Sequence, residues 1–427
     1  MTKKENLILD NGARILLLPD REARSVSASL WVTAGSAWEQ PEEQGVSHFI
    51  EHMVFKGTAR RSARDISEEM DRLGGGINAY TARECTRYYA QTLKENAGEV
   101  LDLLCDIVLH PRLDESDMEL ERRVILEEMA MYEDNGEEVA HEALCASLWP
   151  DSPLGRAICG TVQTVSALTV EDLRRYRDRH YAPGRLLAVV AGGFDREDVL
   201  ERLHRELGIL PAKEPPPPAP PPVYRPGLIL RRRDFEQTAV ELAVPGLPRG
   251  DDQRFAMMLF NFIAGGGASS RLFQRVREER GLAYSVYSAS ESFGGAGLFT
   301  VSALTSPERQ LEVIREIRTV LDGFSSGVGR EEVDRARAQV KASYILGLET
   351  VEARAAYEGR SALFHAGETS PDEVLARLDA LNPSDVDTLA ARLLVPEKTA
   401  LAVAGPVENA EAYAGMYGSG VHSTENR

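Results

Sequence analysis

A chain of 427 residues with 67 acidic and 49 basic side chains, a net charge of −18, is long enough for two ordinary cores. It is too acidic to offer the clustered cations that binding phosphates requires, which excludes nucleic acid as its main partner. With 43% hydrophobic and 27% charged residues it has the composition of a soluble globular protein, not of a disordered or fibrous one.

The opening MTKKENLILDNGARILLLPD has no apolar core or small-residue cleavage site of a secretory signal, and no run of about 18 apolar residues occurs later. The expectation is a cytoplasmic protein with no membrane partner. Cys85, Cys105, Cys145 and Cys159 form no CxxC pair and read as reduced structural thiols.

Gln44-Gly-Val-Ser47 is followed by HFIEHMVF, His48 to Phe55, which reads as a helix with Ser47 as its N-cap. His48 and His52 are four residues apart and share one face, with Glu51 beside them. Two imidazoles so placed can bind one tetrahedral metal ion; with a carboxylate as third ligand, zinc keeps a position for water, and a second glutamate can take that water's proton. Chance placement of two histidines is the bland alternative, and the intervening glutamate and apolar packing argue against it.

Gly75 to Tyr80 reads as a turn entering a strand, and RYYAQTL, Arg87 to Leu93, as a strand leading into the helical LLCDIVLHP. Glu115 to Glu133 reads as a helix whose Leu120, Val124 and Met131 form a buried stripe. It also offers Glu121, Glu127 and Glu128 as third ligands. Glu121 and Glu128 are nearly two turns apart and share a face, so spacing favours that pair without choosing between its members.

The proline run KEPPPPAPPPVYRP reads as a stiff interdomain strap, because proline fixes φ and removes backbone donors. The expected domains are 1–212, a linker 213–226 and 227–427, with a flexible tail from about residue 416 in which His422 is solvated. The halves repeat one another: Thr169 and Asn382, like Gly192 and Gly405, stand 213 residues apart in similar surroundings, and LFTVSAL from Leu298 matches RYYAQTL at an offset of 211. Internal duplication follows. Each half alternates helices with short strands, which predicts an α/β fold (an α+β sandwich): two homologous domains, each a mainly antiparallel or mixed sheet packed with helices. The second half has FNFIAGGGASSRLF where the first has its histidines, so it carries no metal site; without a following GK[ST], the glycines make a turn before a helix and not a phosphate loop.

HFIEHMVFKGT, GGGINAYTARECTRYYAQTL, ERRVILEEMAMYEDN, PLGRAICGT and SSRLFQRVREERGLAYSVYS resemble, in order and over nearly the whole chain, segments of the pitrilysin and insulinase superfamily, and in particular its half-sized members similar to mitochondrial processing peptidase. The resemblance implies a zinc endopeptidase, with one Zn2+ per chain held by His48, His52 and Glu128, which stands 76 residues past the motif. It implies Glu51 as general base, Glu121 as an auxiliary carboxylate, Asn78 and Ala79 on an edge strand to which substrate adds as a further strand, and Arg277 and Tyr284 as groups that bind substrate and stabilise an oxyanion. It further implies peptide substrates, such as oligopeptides or unfolded segments, cut in a chamber built by a homodimer, or by a heterodimer with a homologous subunit. The competing classes are a non-catalytic scaffold and a peptide-binding subunit of a heteromeric processing peptidase.

Overall fold

The computed structural model describes residues 4–213, 220–364, 370–417 and 424–426. Residues 214–219 of the expected proline strap and His422 of the expected tail lie outside the described residues. Two six-stranded sheets carry the fold. The first contains β1 (Glu5–Ile8), β2 (Arg14–Pro19), β3 (Ser25–Val32), β4 (Gly76–Thr81), β5 (Thr86–Leu93) and β6 (Leu186–Gly192), in the order β1-β2-β6-β3-β5-β4. The second contains β7 (Leu228–Arg232), β8 (Thr238–Pro245), β9 (Ala283–Ser292), β10 (Gly297–Thr305), β11 (Ala400–Gly405) and β12 (Thr424–Asn426), in the order β12-β7-β11-β8-β10-β9. The orders correspond from the second strand onward; the first differs, since β1 pairs with β2 antiparallel and β12 pairs with β7 in parallel. In both sheets the second and third strands of that order pair in parallel and the next three pairings are antiparallel. The duplication is therefore structural, and the sheets are mixed. Among the described residues, no helix is long and apolar enough to cross a membrane.

The apolar run LLAVVAG of β6 is buried along its whole length because both faces of the sheet are covered. One face packs Ile15, Leu17, Ala28, Leu30, Ala188 and Val190 against helix residues such as Val100, Leu104 and Ile107. The other packs Leu16, Trp31, Leu187 and Val189 against Val351 and Ala355 of the helix Val351–Phe364. That covering helix comes from far along the chain. Correspondingly, the helix Gly136–Leu148 lies on β8 and β11 of the second sheet. The chain accordingly divides into two compact units, Met1–Met129 with Arg156–Ala219 and Gly347–Glu368, and Ala130–Gly155 with Pro220–Leu346 and Thr369–Arg427.

The Glu115–Glu133 helix forms as expected but buries a different stripe. Leu120, Val124 and Met131 are exposed, and Met118, Glu121 and Ile125 face inward. Reading apolar residues alone missed the face because one of its buried members is a carboxylate.

Candidate metal centre

The helix bearing the two histidines spans Val46–Met53. Its N-cap is Gly45, at φ +91°, and not Ser47, which lies inside the first turn. The capping acceptor comes from upstream. Glu39 is 2% exposed, and its two carboxylate oxygens accept from Gly45 N at 2.8 Å and Ser47 N at 2.9 Å. Burial pushes the Glu39 carboxyl up to about 7, against the lowering effect of those backbone donors. Ser47 instead donates its hydroxyl to Tyr176 at 2.9 Å. A Cβ at position 45 would sit 2.5 Å from the carbonyl oxygen of Cys159, so glycine is what allows the segment around Cys159 to close against the start of this helix.

Along the helix, the imidazoles of His48 and His52 lie edge to face with centroids 4.6 Å apart. Oε2 of Glu128, from the Glu115–Glu133 helix, lies 3.7 Å from His48 Nε2 and 3.5 Å from His52 Nε2. Ligands bound tetrahedrally at the 2.0–2.2 Å typical of zinc–nitrogen and zinc–oxygen bonds are separated by roughly 3.3–3.6 Å, so the carboxylate stands from each imidazole at close to the spacing such an ion needs. Cys159 also approaches: its Sγ and ligand atoms of His48 and Glu128 all lie within 4.8 Å of one another.

Glu121 completes the surroundings. Its Oε2 accepts from His52 Nδ1 at 3.0 Å, and its Oε1 is paired with Lys56. That bond keeps the proton on Nδ1 and leaves Nε2 as the coordinating nitrogen, the carboxylate–histidine arrangement that orients metal ligands. Glu51 turns toward β4, where Thr81 Oγ1 donates to its Oε2 at 2.6 Å. Burial raises the Glu51 carboxyl, and the Thr81 bond offsets part of the rise. Burial and the neighbouring His52 cation push His48 down to about 4. Burial also pulls on His52, but its bonds with Glu121 and Glu128 outweigh this and hold it at about 9. One ring is cationic and one neutral. A divalent cation would take over the role of that single proton, and the donor set of two imidazoles and one carboxylate fits zinc.

The family profile described as insulinase (peptidase family M16) matches residues 14–162, and the profile described as the peptidase M16 inactive domain matches residues 167–340. The chain belongs to peptidase family M16. An uncharacterized zinc protease of Streptomyces coelicolor is 39% identical, covering 95% of this chain and 90% of that protein. The uncharacterized zinc protease YmxG of Bacillus subtilis is 35% identical over 93% of this chain and 97% of its own length. Two solved structures share the fold at a TM-score of 0.89: a peptidase M16 inactive domain from Pseudomonas fluorescens, 21% identical, and a protease from Helicobacter pylori, 20% identical, each matched over 95% of this chain and 99% of its own.

Within this M16 chain, His48, Glu51, His52, Glu121 and Glu128 come together in one compact unit. Asn78 and Ala79 lie on β4, which among the described residues is an edge strand paired with β5; Asn78 is exposed and Ala79 half-buried. Arg277 and Tyr284 belong to the other unit. There Arg277, in the π-helical stretch Phe273–Glu279, lies 4.7 Å from the Tyr284 ring at the start of β9. Sequence reasoning did not single out Thr81, Lys56 or Glu39. Lys56 stands four residues beyond His52, a spacing that could have drawn it in, and Glu39 six residues before Gly45 is near enough to have been weighed as the capping acceptor, whereas the Thr81 contact spans 30 residues and leaves no local signal.

Proposed function

We propose that this M16 chain is a zinc-dependent endopeptidase with one Zn2+ held by His48, His52 and Glu128. The reading rests on one observation above all: Glu128 Oε2 stands 3.7 and 3.5 Å from the two imidazole nitrogens, with Glu51 beside them on the same helix. Zinc bound there would supply Lewis acidity, polarising a carbonyl and acidifying water. Glu51 Oε2 would take the proton from water and pass it to the leaving amine, and its partly desolvated carboxyl, raised from its ordinary value, suits a group that must both accept and release a proton. Glu121 would hold His52 in its coordinating tautomer. The open edge of β4, at Asn78 and Ala79, would bind an extended peptide by backbone hydrogen bonds, making recognition of side chains loose and favouring oligopeptides or unfolded segments.

Arg277 and Tyr284 are read as oxyanion-stabilising groups. The hydroxyl-bearing ring of Tyr284 is 79% exposed and so available to a substrate, and the guanidinium is held against it. Each member of a homodimer would receive this pair from its partner.

The deciding experiment is metal analysis and cleavage of a mixed peptide library by wild type and Glu51→Gln. The expected result is one zinc per chain in both proteins, with turnover reduced by about a thousandfold or more in the variant. Undiminished turnover in Glu51→Gln would rule out the mechanism, and an inactive wild type that binds no zinc would rule out the function.

A further inference from the structure

Three of the four cysteines have ordinary settings. Cys105 lies in the apolar core of the first unit, Cys85 packs with Trp31 and Leu187, and Cys145 has its Sγ 3.5 Å from His141 Nε2. Cys159 is different. It is 8% exposed, and it is the cysteine whose sulfur joins His48 and Glu128 in a group of donor atoms all within 4.8 Å of one another. Two features hold it there. Gly45 lets the Cys159 carbonyl approach the start of the histidine helix, and Gly160, at φ +77°, packs so tightly on Gln44 that a Cβ would meet the Gln44 carbonyl oxygen at 2.4 Å. The backbone that carries the thiol is therefore packed against the start of the helix that presents the imidazoles. His48 is itself more than nine-tenths buried, and its Nδ1 has no hydrogen-bond partner among the described residues, so beside this thiol stands a buried imidazole whose polar atoms are not all satisfied by protein groups.

We propose that Cys159 is a fourth protein ligand of the metal centre, and that its thiolate closes the coordination position that hydrolysis requires open. The inference rests on the zinc site read above. Ligation would exchange one metal–oxygen bond for one metal–sulfur bond: the bound water and the thiol proton would leave to solvent, with no change of oxidation state. Four protein ligands, here two imidazoles, a carboxylate and a thiolate, make a closed site of the structural type, and three make an open site of the catalytic type. The centre thus has a latent state, in which Cys159 occupies the water position, and a working state, in which the thiol is released.

Cobalt(II) tests this without reference to turnover. The full-length protein, stripped of metal and given one equivalent of Co2+, should show the intense near-ultraviolet sulfur-to-cobalt charge-transfer band in addition to the weaker visible bands of a low-symmetry cobalt site. Cys159→Ala should keep the visible bands, lose the charge-transfer band and bind Zn2+ about tenfold more weakly, with a cooperative unfolding transition to show that it is folded. Cys159→Ser, which keeps a small polar group without a soft donor, should behave likewise. Visible cobalt bands without charge transfer in wild type would overturn the thiolate ligand and leave the zinc site standing. Failure of wild type to bind cobalt or zinc at all would overturn the site itself. A charge-transfer band that persists in both variants would assign the sulfur elsewhere and also overturn the proposal.

Discussion

Among the described residues, Thr81 is the side-chain donor that holds Glu51, and that contact sets a measurable expectation. Replacing Thr81 by Val keeps the shape of β4 but removes the 2.6 Å bond to Glu51 Oε2. A hydrogen bond to a charged group is worth about 1.5 kcal/mol or more, so kcat should fall roughly tenfold, with KM and zinc content unchanged. Glu39 gives a second expectation, in stability. Its folded-state value of about 7 lies above the ordinary 4.5, so between those limits the folded chain binds a proton that the unfolded chain has lost. Folding takes up that proton, and the contribution to stability falls as pH rises from 4.5 to 7, by up to roughly 3 kcal/mol. Urea unfolding of wild type and Glu39→Gln across that window should show this slope only in wild type. The histidine pair and the intervening glutamate are legible in the sequence because helical periodicity converts spacing into direction. Thr81 is not, because its contact with Glu51 depends on how segments 30 residues apart pack, and Glu39 is not, because a cap supplied from before the N-cap residue does not follow the i to i+3 spacing of an ordinary cap.

At the level of elements, Val351–Phe364 covers the first sheet and is fastened there by close approach and by charge. Gly359 lies so near Trp31 that a Cβ would meet the indole Nε1 at 2.7 Å and Cε2 at 2.9 Å. Glu352 pairs at 2.8 Å with Arg87, whose guanidinium lies over the Tyr89 and Trp31 rings. Trp31 is fully buried and its Nε1 donates to Ser29, so it has little room to yield. Gly359→Ala should therefore cost about 1–3 kcal/mol, read as a lower urea midpoint at unchanged m. The strands themselves were legible: RYYAQTL, LFTVSAL and the apolar runs at Leu187 and Leu401 all fall within β5, β10, β6 and β11. The inward face of Glu115–Glu133 was not, since a buried Glu121 bound to His52 and Lys56 breaks the rule that inward means apolar.

Over the whole molecule, the repeated strand order and the family's segments could be read from a single chain, but the covering helices could not. Amphipathic pattern says that Val351–Phe364 must bury a face and is silent about which sheet receives it. A chain split at the proline run tests the arrangement. Residues 1–213 alone would leave Leu16, Trp31, Leu187 and Val189 without Val351 and Ala355, and should bind a hydrophobic dye and unfold without cooperativity; co-expression with 220–427 should restore one cooperative transition and zinc binding together. The same connectivity has a consequence for biosynthesis. On a ribosome, β6 emerges some 160 residues ahead of the helix that shields it, a delay of roughly 10–30 s at ordinary rates of elongation. The nascent first sheet must spend that interval with a greasy flank uncovered, so a product terminated before Val351 would keep Leu16, Trp31, Leu187 and Val189 open to chaperones and quality control.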